Sequence, residues 1–152
     1  MLHQIKTTQL IKSDIDSVWE FMSSPKNLAK ITPSYMKFEI LSDLGDGKMY
    51  QGQIIEYYVR PLLNIKLHWV TEITHVKEKE FFVDEQRFGP YSFWHHKHLF
   101  KQTDKGIEMS DIIHYKLPAG IVGKIANELF IKKQLNEVFR YRNEVVNNFF
   151  NS

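Results

Sequence analysis

The sequence predicts an α+β fold: a curved antiparallel sheet of about seven strands, two short helices and one long C-terminal helix. Three observations carry this. Between residues 37 and 118, short alternating apolar–polar runs follow one another, separated by turn signals such as Gly45-Asp46-Gly47, Gly89-Pro90 and Thr103-Asp104-Lys105-Gly106. From about Ile121 to Phe149 there is no proline, and apolar residues return at helical spacing. Before residue 37 the chain holds one strand-like run and two helix starts. No repeat, low-complexity tract or Gly/Ser linker interrupts the 152 residues, so a single domain over 1–152 is expected.

In chain order, residues 2–12 read as the first strand. Asp14 or Ser13 can cap a helix whose face is Ile15, Val18, Trp19 and Met22. Pro25 opens a second short helix that ends before Pro33. Strands follow at 37–41, at 45–59 after the Gly-Asp-Gly turn, and at 63–76, where Leu67, Trp69, Thr71 and Ile73 alternate. Three more run through 81–88, 91–101 and 107–117. The final helix carries Val122, Ile125, Ala126, Leu129, Leu135, Val138, Phe139, Val145 and Phe149, with Arg142 at the same spacing. At 25–29 residues it would be ~40 Å long, with one stripe facing the sheet. Lys132, Lys133, Arg140 and Arg142 read as its solvated face, an inward turn of Arg142 toward an acidic ligand group being the alternative. A curved sheet around a helix is not filled everywhere by the helix stripe, and the space left over becomes a cavity.

Composition narrows the function. The net charge is +2 and acids and bases interleave, so no basic stripe exists for nucleic acid. Cysteine is absent, which excludes disulfides and thiolate metal sites. No apolar run approaches the ~20 residues that span a bilayer, and no leader is evident, so a cytoplasmic location without stable membrane insertion is expected. Aromatic residues make up 14%, a share that favours a large core or a roomy apolar pocket.

Three of seven histidines fall within His95–His98. On a strand, Trp94, His96, His98 and Phe100 share one face, while His95, Lys97, Leu99 and Lys101 share the other. The lysines mark the second face as wet, so the first points inward. A two- or four-residue loop at 103–106 gives one register, with 102 opposite 107. It sets Phe100 opposite Met109, His98 opposite Asp111, His96 opposite Ile113 and Trp94 opposite Tyr115, and a His98–Asp111 hydrogen bond is expected. The same reasoning around 77–80 sets Ile73 opposite Asp84, Thr71 opposite Gln86 and Trp69 opposite Phe88. Bringing both hairpins onto one inward face needs an odd offset at Gly89-Pro90. The inward set is then Trp69, Ile73, Asp84, Gln86, Trp94, His96, His98, Asp111 and Tyr115. Broad aromatic walls with a few convergent polar groups are the usual make-up of a small-molecule pocket.

At these residues the sequence resembles the START-related, polyketide cyclase/dehydrase-like ligand-binding proteins of the SRPBCC superfamily. The resemblance rests on Phe82, Asp84, Gln86, Gly89, Pro90, Tyr91, Trp94, His96, His98 and Phe100, then Asp111, Tyr115, Leu117 and Pro118. It implies a helix-grip fold, with a deep cavity between the sheet and the last helix. It also implies binding of lipids, sterols, polyketides, quinones or similar hydrophobic molecules, with cyclisation or dehydration in some members. The motif speaks for fold more than for activity.

Three readings compete at the histidines. His96 and His98 with Asp84 or Asp111 have the makings of a metal site, although a hydrogen-bonded pair lining a pocket is the commoner arrangement. His96, His98 and Asp111 are the candidates for proton transfer in a cyclase- or dehydratase-type reaction. No nucleophile accompanies them, since Ser92 and Ser110 fall on unhelpful faces. The third reading is non-covalent binding, with Trp69, Trp94, Phe100 and Tyr115 supplying contact area. Asp84, Gln86, His96, His98 and Asp111 would hold the ligand's polar end. Asp84 and Gln86 could instead bond to backbone near Gly89-Pro90. The binding reading is the one adopted, with no metal and no cofactor and with a hydrophobic small molecule as partner. A protein-interaction domain without a real cavity is the remaining alternative. Residues 57–63, apolar around Pro61, are read as a loop at the cavity mouth or an edge where a homodimer forms, and 120–123 as a second mobile segment at the mouth.

Overall fold

The computed structural model describes residues 1–61, 64–118 and 124–152, the side chains of 124–128 excepted. Seven strands form one antiparallel sheet. They are β1 (His3–Ile11), β2 (Glu39–Ile40), β3 (Ile54–Val59), β4 (Leu67–Lys77), β5 (Phe81–Phe88), β6 (Phe93–Thr103) and β7 (Gly106–Lys116). Helix α1 (Ile15–Met22) follows β1, and α2 (Lys124–Phe150) ends the chain. The spatial order is β1-β7-β6-β5-β4-β3-β2, so the first strand closes beside the last.

Asp14 caps α1, its carboxylate accepting from the Ser17 backbone N–H at 2.8 Å. Phe21 joins Val18 and Met22 on the buried face. The second short helix is realised as a single 3-10 turn, Pro25–Asn27, with another at Ser34–Met36. The Asn27 side chain, donating to Phe21 O at 2.9 Å, ties this segment back to α1. β3 begins at Ile54 rather than near 45, because Gly52 takes φ 85° and turns the chain there.

The β6–β7 register is the one expected: Phe100–Met109, His98–Asp111, His96–Ile113 and Trp94–Tyr115. In the β4–β5 pair, Ile73 faces Asp84 and Thr71 faces Gln86 as expected. Trp69 does not face Phe88, which pairs with Val70 instead, because the ladder shifts between Val70 and Thr71. A second shift, between Ile73 and His75, lets Val76 face Phe82. Asp84 faces His96, the parity that the offset at Gly89-Pro90 was expected to supply. Gly89 has φ 156°, and a Cβ there would lie 2.5 Å from Gln86 Oε1. This tight approach lets the Gln86 amide bond both the Tyr91 carbonyl (2.6 Å) and the Tyr91 N–H (3.1 Å).

The concave face is covered unevenly. Ile11, Ile107, Met109 and Val146 are fully buried with α1 and the end of α2, and each such side chain stabilises the fold by about 1.5–3 kcal/mol. Leu135 and Phe139 of α2 pack on Ile5, Trp94, Ile113 and Tyr115. Ile55, Tyr57, Val59 and Ile73 form a separate cluster on β3 and β4. The buried stripe of α2 is Leu135, Val138, Phe139, Arg142 and Val146; Leu129 and Phe149 are exposed and Val145 is only partly covered. Val122, Ile125 and Ala126 lie outside the side chains described. Arg142 is thus in the stripe, whereas Lys132, Lys133 and Arg140 face solvent.

Candidate functional site

Between the β3–β5 part of the sheet and the middle of α2 lies a cavity of roughly 390 Å3. Its wall is mostly apolar and aromatic, from Phe38, Tyr57, Trp69 and Ile73 on one side to Leu135, Val138 and Phe139 on the other. Met22, Leu28 and Ile31, from α1 and the turns after it, cover one end. Pro61 reaches the mouth, where the Gln134 side-chain amide donates to its carbonyl and ties the β3–β4 connection to α2. Tyr57 and Val59 are buried and also line the cavity, so the described part of 57–63 belongs to the wall and mouth. Leu62, Leu63 and the 120–123 segment lie outside the described residues.

Of the nine residues put forward from sequence, Trp69, Asp84, Trp94, His96 and His98 line this cavity. The other four stand off it. Gln86 is taken up by the Tyr91 backbone. Phe100 packs edge-on against Trp19, 5.4 Å between centroids. Tyr115 is buried beneath Tyr91 and Trp94. Asp111, 1% exposed, lies behind the histidine rings. The reason is shared: an inward direction on a strand gives the face, but the cavity occupies only the part of that face that α1 and α2 leave uncovered.

Asp84, His96, His98 and Asp111 form a closed ring of charge. His96 Nε2 is 2.8 Å from Asp111 Oδ1, and His98 Nε2 is 2.8 Å from Asp84 Oδ2. His98 Nδ1 lies 2.9 Å from Asp111 Oδ1 but not in hydrogen-bonding geometry, and His96 Nδ1 lies 3.4 Å from Asp84 Oδ2. The expected His98–Asp111 hydrogen bond is therefore replaced by two diagonal ones. The two rings sit 3.7 Å apart, and sheet twist brings each within reach of the diagonal carboxylate.

The environment splits the two imidazoles. Burial and the His98 charge push the His96 pKa down, against the pull of Asp84 and Asp111. Burial also works against a charged His98, but the two carboxylates beside it, Asp111 and Asp84, outweigh it and raise the His98 pKa. Burial alone would raise both carboxyls. The His96 charge and the His98 hydrogen bond bring Asp84 below its ordinary value, and the hydrogen bond from His96 with the His98 ring close beside it holds Asp111 well below it. The shifts thus run in opposite directions for the two rings, toward the neutral form at His96 and toward the charged form at His98, with both carboxyls held toward the ionised form.

Chemically this cluster is turned in on itself. Both Nε2 atoms are taken up by carboxylates, His98 Nδ1 is buried against Asp111, and His96 Nδ1 lies 3.4 Å from Asp84. Ligating atoms of Asp84, His96 and His98 lie within 4.8 Å of one another, close enough for a metal ion that displaced their present partners. The neighbouring part of the sheet wall is satisfied too. Trp69 Nε1 donates to Thr71 Oγ1 at 3.0 Å, and the Tyr57 hydroxyl is 3.3 Å from the same oxygen. Burial pushes the Tyr57 pKa up, which keeps it neutral.

Sequence reasoning did not name Tyr57, Thr71 or Phe139 as site residues, and it offered an inward Arg142 only as the alternative to a solvated one. Tyr57 and Thr71 were legible as alternate residues on strands. Arg142 shares its spacing with Leu135, Val138 and Phe139, which is the signal for its inward position.

No family model matches the chain, and no curated protein matches it in sequence. Solved structures do match in fold. A START superfamily protein from Mycobacterium smegmatis superposes with a TM-score of 0.70 at 11% identity, over 98% of this chain and 97% of the other. The Zhui aromatase/cyclase from Streptomyces sp. R1128 gives 0.76 at 14% identity, over 96% and 92%. The di-domain aromatase/cyclase StfQ of the steffimycin biosynthetic pathway gives 0.75 at 6% identity, over 99% of this chain and 51% of that one. The chain has a START-like helix-grip fold: a curved seven-stranded antiparallel sheet gripping a long C-terminal helix. No helix among the described residues is long and apolar enough to cross a membrane.

Proposed function

We propose that this protein binds a hydrophobic or aromatic small molecule, of lipid-, polyketide- or quinone-like character, non-covalently in the cavity between sheet and α2. The observation that carries the reading is the cavity itself. Its volume of roughly 390 Å3 falls in the range of small-molecule sites, and its wall is apolar with a few convergent polar groups. Trp69 and Trp94 supply rigid contact area. Asp84, His96 and His98 form a polar patch at one side of the wall, held in place by Asp111.

The aromatase/cyclases among the structural neighbours favour a second reading, a cyclase- or dehydratase-type enzyme using His96, His98 and Asp111. The inward-turned ring nitrogens weigh against it, since a general acid or base needs a hydrogen-bonding direction toward the substrate. Native mass spectrometry of freshly purified protein, with metal analysis on the same sample, tests the binding reading. A co-purifying organic mass that is lost on denaturation is the expected result. A stoichiometric metal with no organic mass would replace it with the chelation reading. Turnover of a bound compound that disappears in His98→Ala while binding persists would promote the enzyme.

A further inference from the structure

The middle of α2 places a charged group where the cavity has no partner for it. Arg142 is 7% exposed and lines the cavity. Its Nε is buried without a hydrogen bond, and among the described residues no carboxylate pairs with it. The Phe139 ring lies 5.0 Å from the guanidinium carbon. The Arg142 charge bears on Asp84 and Tyr57, though Arg142 forms no ion pair or hydrogen bond with either. A guanidinium cannot escape burial by losing its proton, as a lysine can. An unpaired ion in an apolar wall is costly, and such groups are kept where something completes them.

Resting on the reading of the cavity as a ligand site, we propose that Arg142 is its anion-recognising residue and that the ligand is an apolar molecule carrying one carboxylate. The planar fork of N–H donors matches a carboxylate bidentately, and the low-polarity surroundings strengthen the contact. Two carboxylates, Asp84 and Asp111, already stand against the rings of His96 and His98, so that part of the wall does not favour the acid end. The carboxylate therefore docks at the helix wall, and the apolar body fills the space toward the sheet. If Arg142 served only as a distant counter-charge to Asp84, neutral and acidic ligands would bind alike.

The test uses a neutral fluorophore, N-phenyl-1-naphthylamine, displaced by decanoate or by decanol at mildly alkaline pH, where decanoate is ionised. The wild type is expected to prefer decanoate over decanol by about tenfold or more. In Arg142→Met that ratio falls to about one; in Arg142→Lys, which keeps charge but not the fork, it falls in between. Equal displacement by the two compounds in the wild type, or a preference that survives Arg142→Met, overturns the proposal while leaving the cavity reading standing. Failure of the fluorophore, decanoate and decanol all to bind the wild type overturns both. The wild-type ratio decides the matter even if Arg142→Met fails to fold, and Arg142→Lys supplies the second variant.

Discussion

His98 stands directly opposite Asp111 in the β6–β7 ladder, yet its hydrogen bond goes to Asp84 on the other neighbouring strand. Asp111 in turn bonds His96, two residues along β6. The crossed pattern links three strands through four side chains at the wall of the cavity. It makes the cluster a clasp across the sheet, with its chemistry directed at itself.

Such a clasp is sensitive to the loss of one member. In Asp111→Asn, His98 loses one of the two carboxylates beside it and His96 loses a charged acceptor, both in a buried setting. A loss of about 3 kcal/mol in unfolding free energy is expected, measured by urea denaturation. A change below about 1 kcal/mol would show that the four groups are not coupled as described.

The opposite displacements of the two imidazoles predict a stability maximum near their ordinary pKa of 6.5. As pH falls below 6.5, the unfolded chain takes up a proton at residue 96 that the folded protein, with its lowered pKa, refuses; stability falls. As pH rises above 6.5, the folded protein keeps the His98 proton that the unfolded chain has lost, and this contribution fades as pH passes the raised folded pKa. Asp111 adds stability above its ordinary 3.8 and loses it as pH falls through its lower folded value, outside that window. Urea unfolding between about pH 5 and pH 8 checks the curve. A steady rise across that range contradicts the raised His98, and His98→Gln is expected to remove the fall on the alkaline side.

Filling the cavity separates binding there from binding at the surface. Val138 lines the cavity from α2, as Tyr57 and Ile73 do from the sheet, and Val138→Trp would take up part of the roughly 390 Å3. Affinity for a neutral probe such as N-phenyl-1-naphthylamine should fall by about tenfold or more, read from a fluorescence titration. Stability should change by less than about 1.5 kcal/mol, because the added ring enters existing space. Undiminished probe binding in this variant would place the probe elsewhere.

Much of the frame was legible in the chain. Strand alternation is a local property with a period of two, so it set the inward face of β6 at His96 and His98. Turn chemistry at 103–106 is equally local, so it determined that His98 faces Asp111 and His96 faces Ile113. What the chain alone did not decide was which inward residues meet the cavity and which partner each ring takes. Phe100, Asp111 and Tyr115 point inward but are covered, because α1 and α2 reach that part of the sheet and stop short of Trp69 and Asp84. The hydrogen bonds of His96 and His98 run diagonally because twist accumulates across three strands, a quantity no pairwise register contains. The burial of Arg142 depends on how α2 rolls about its axis over a sheet built from residues far away in sequence. Local spacing sets direction; only the packing of distant elements sets depth.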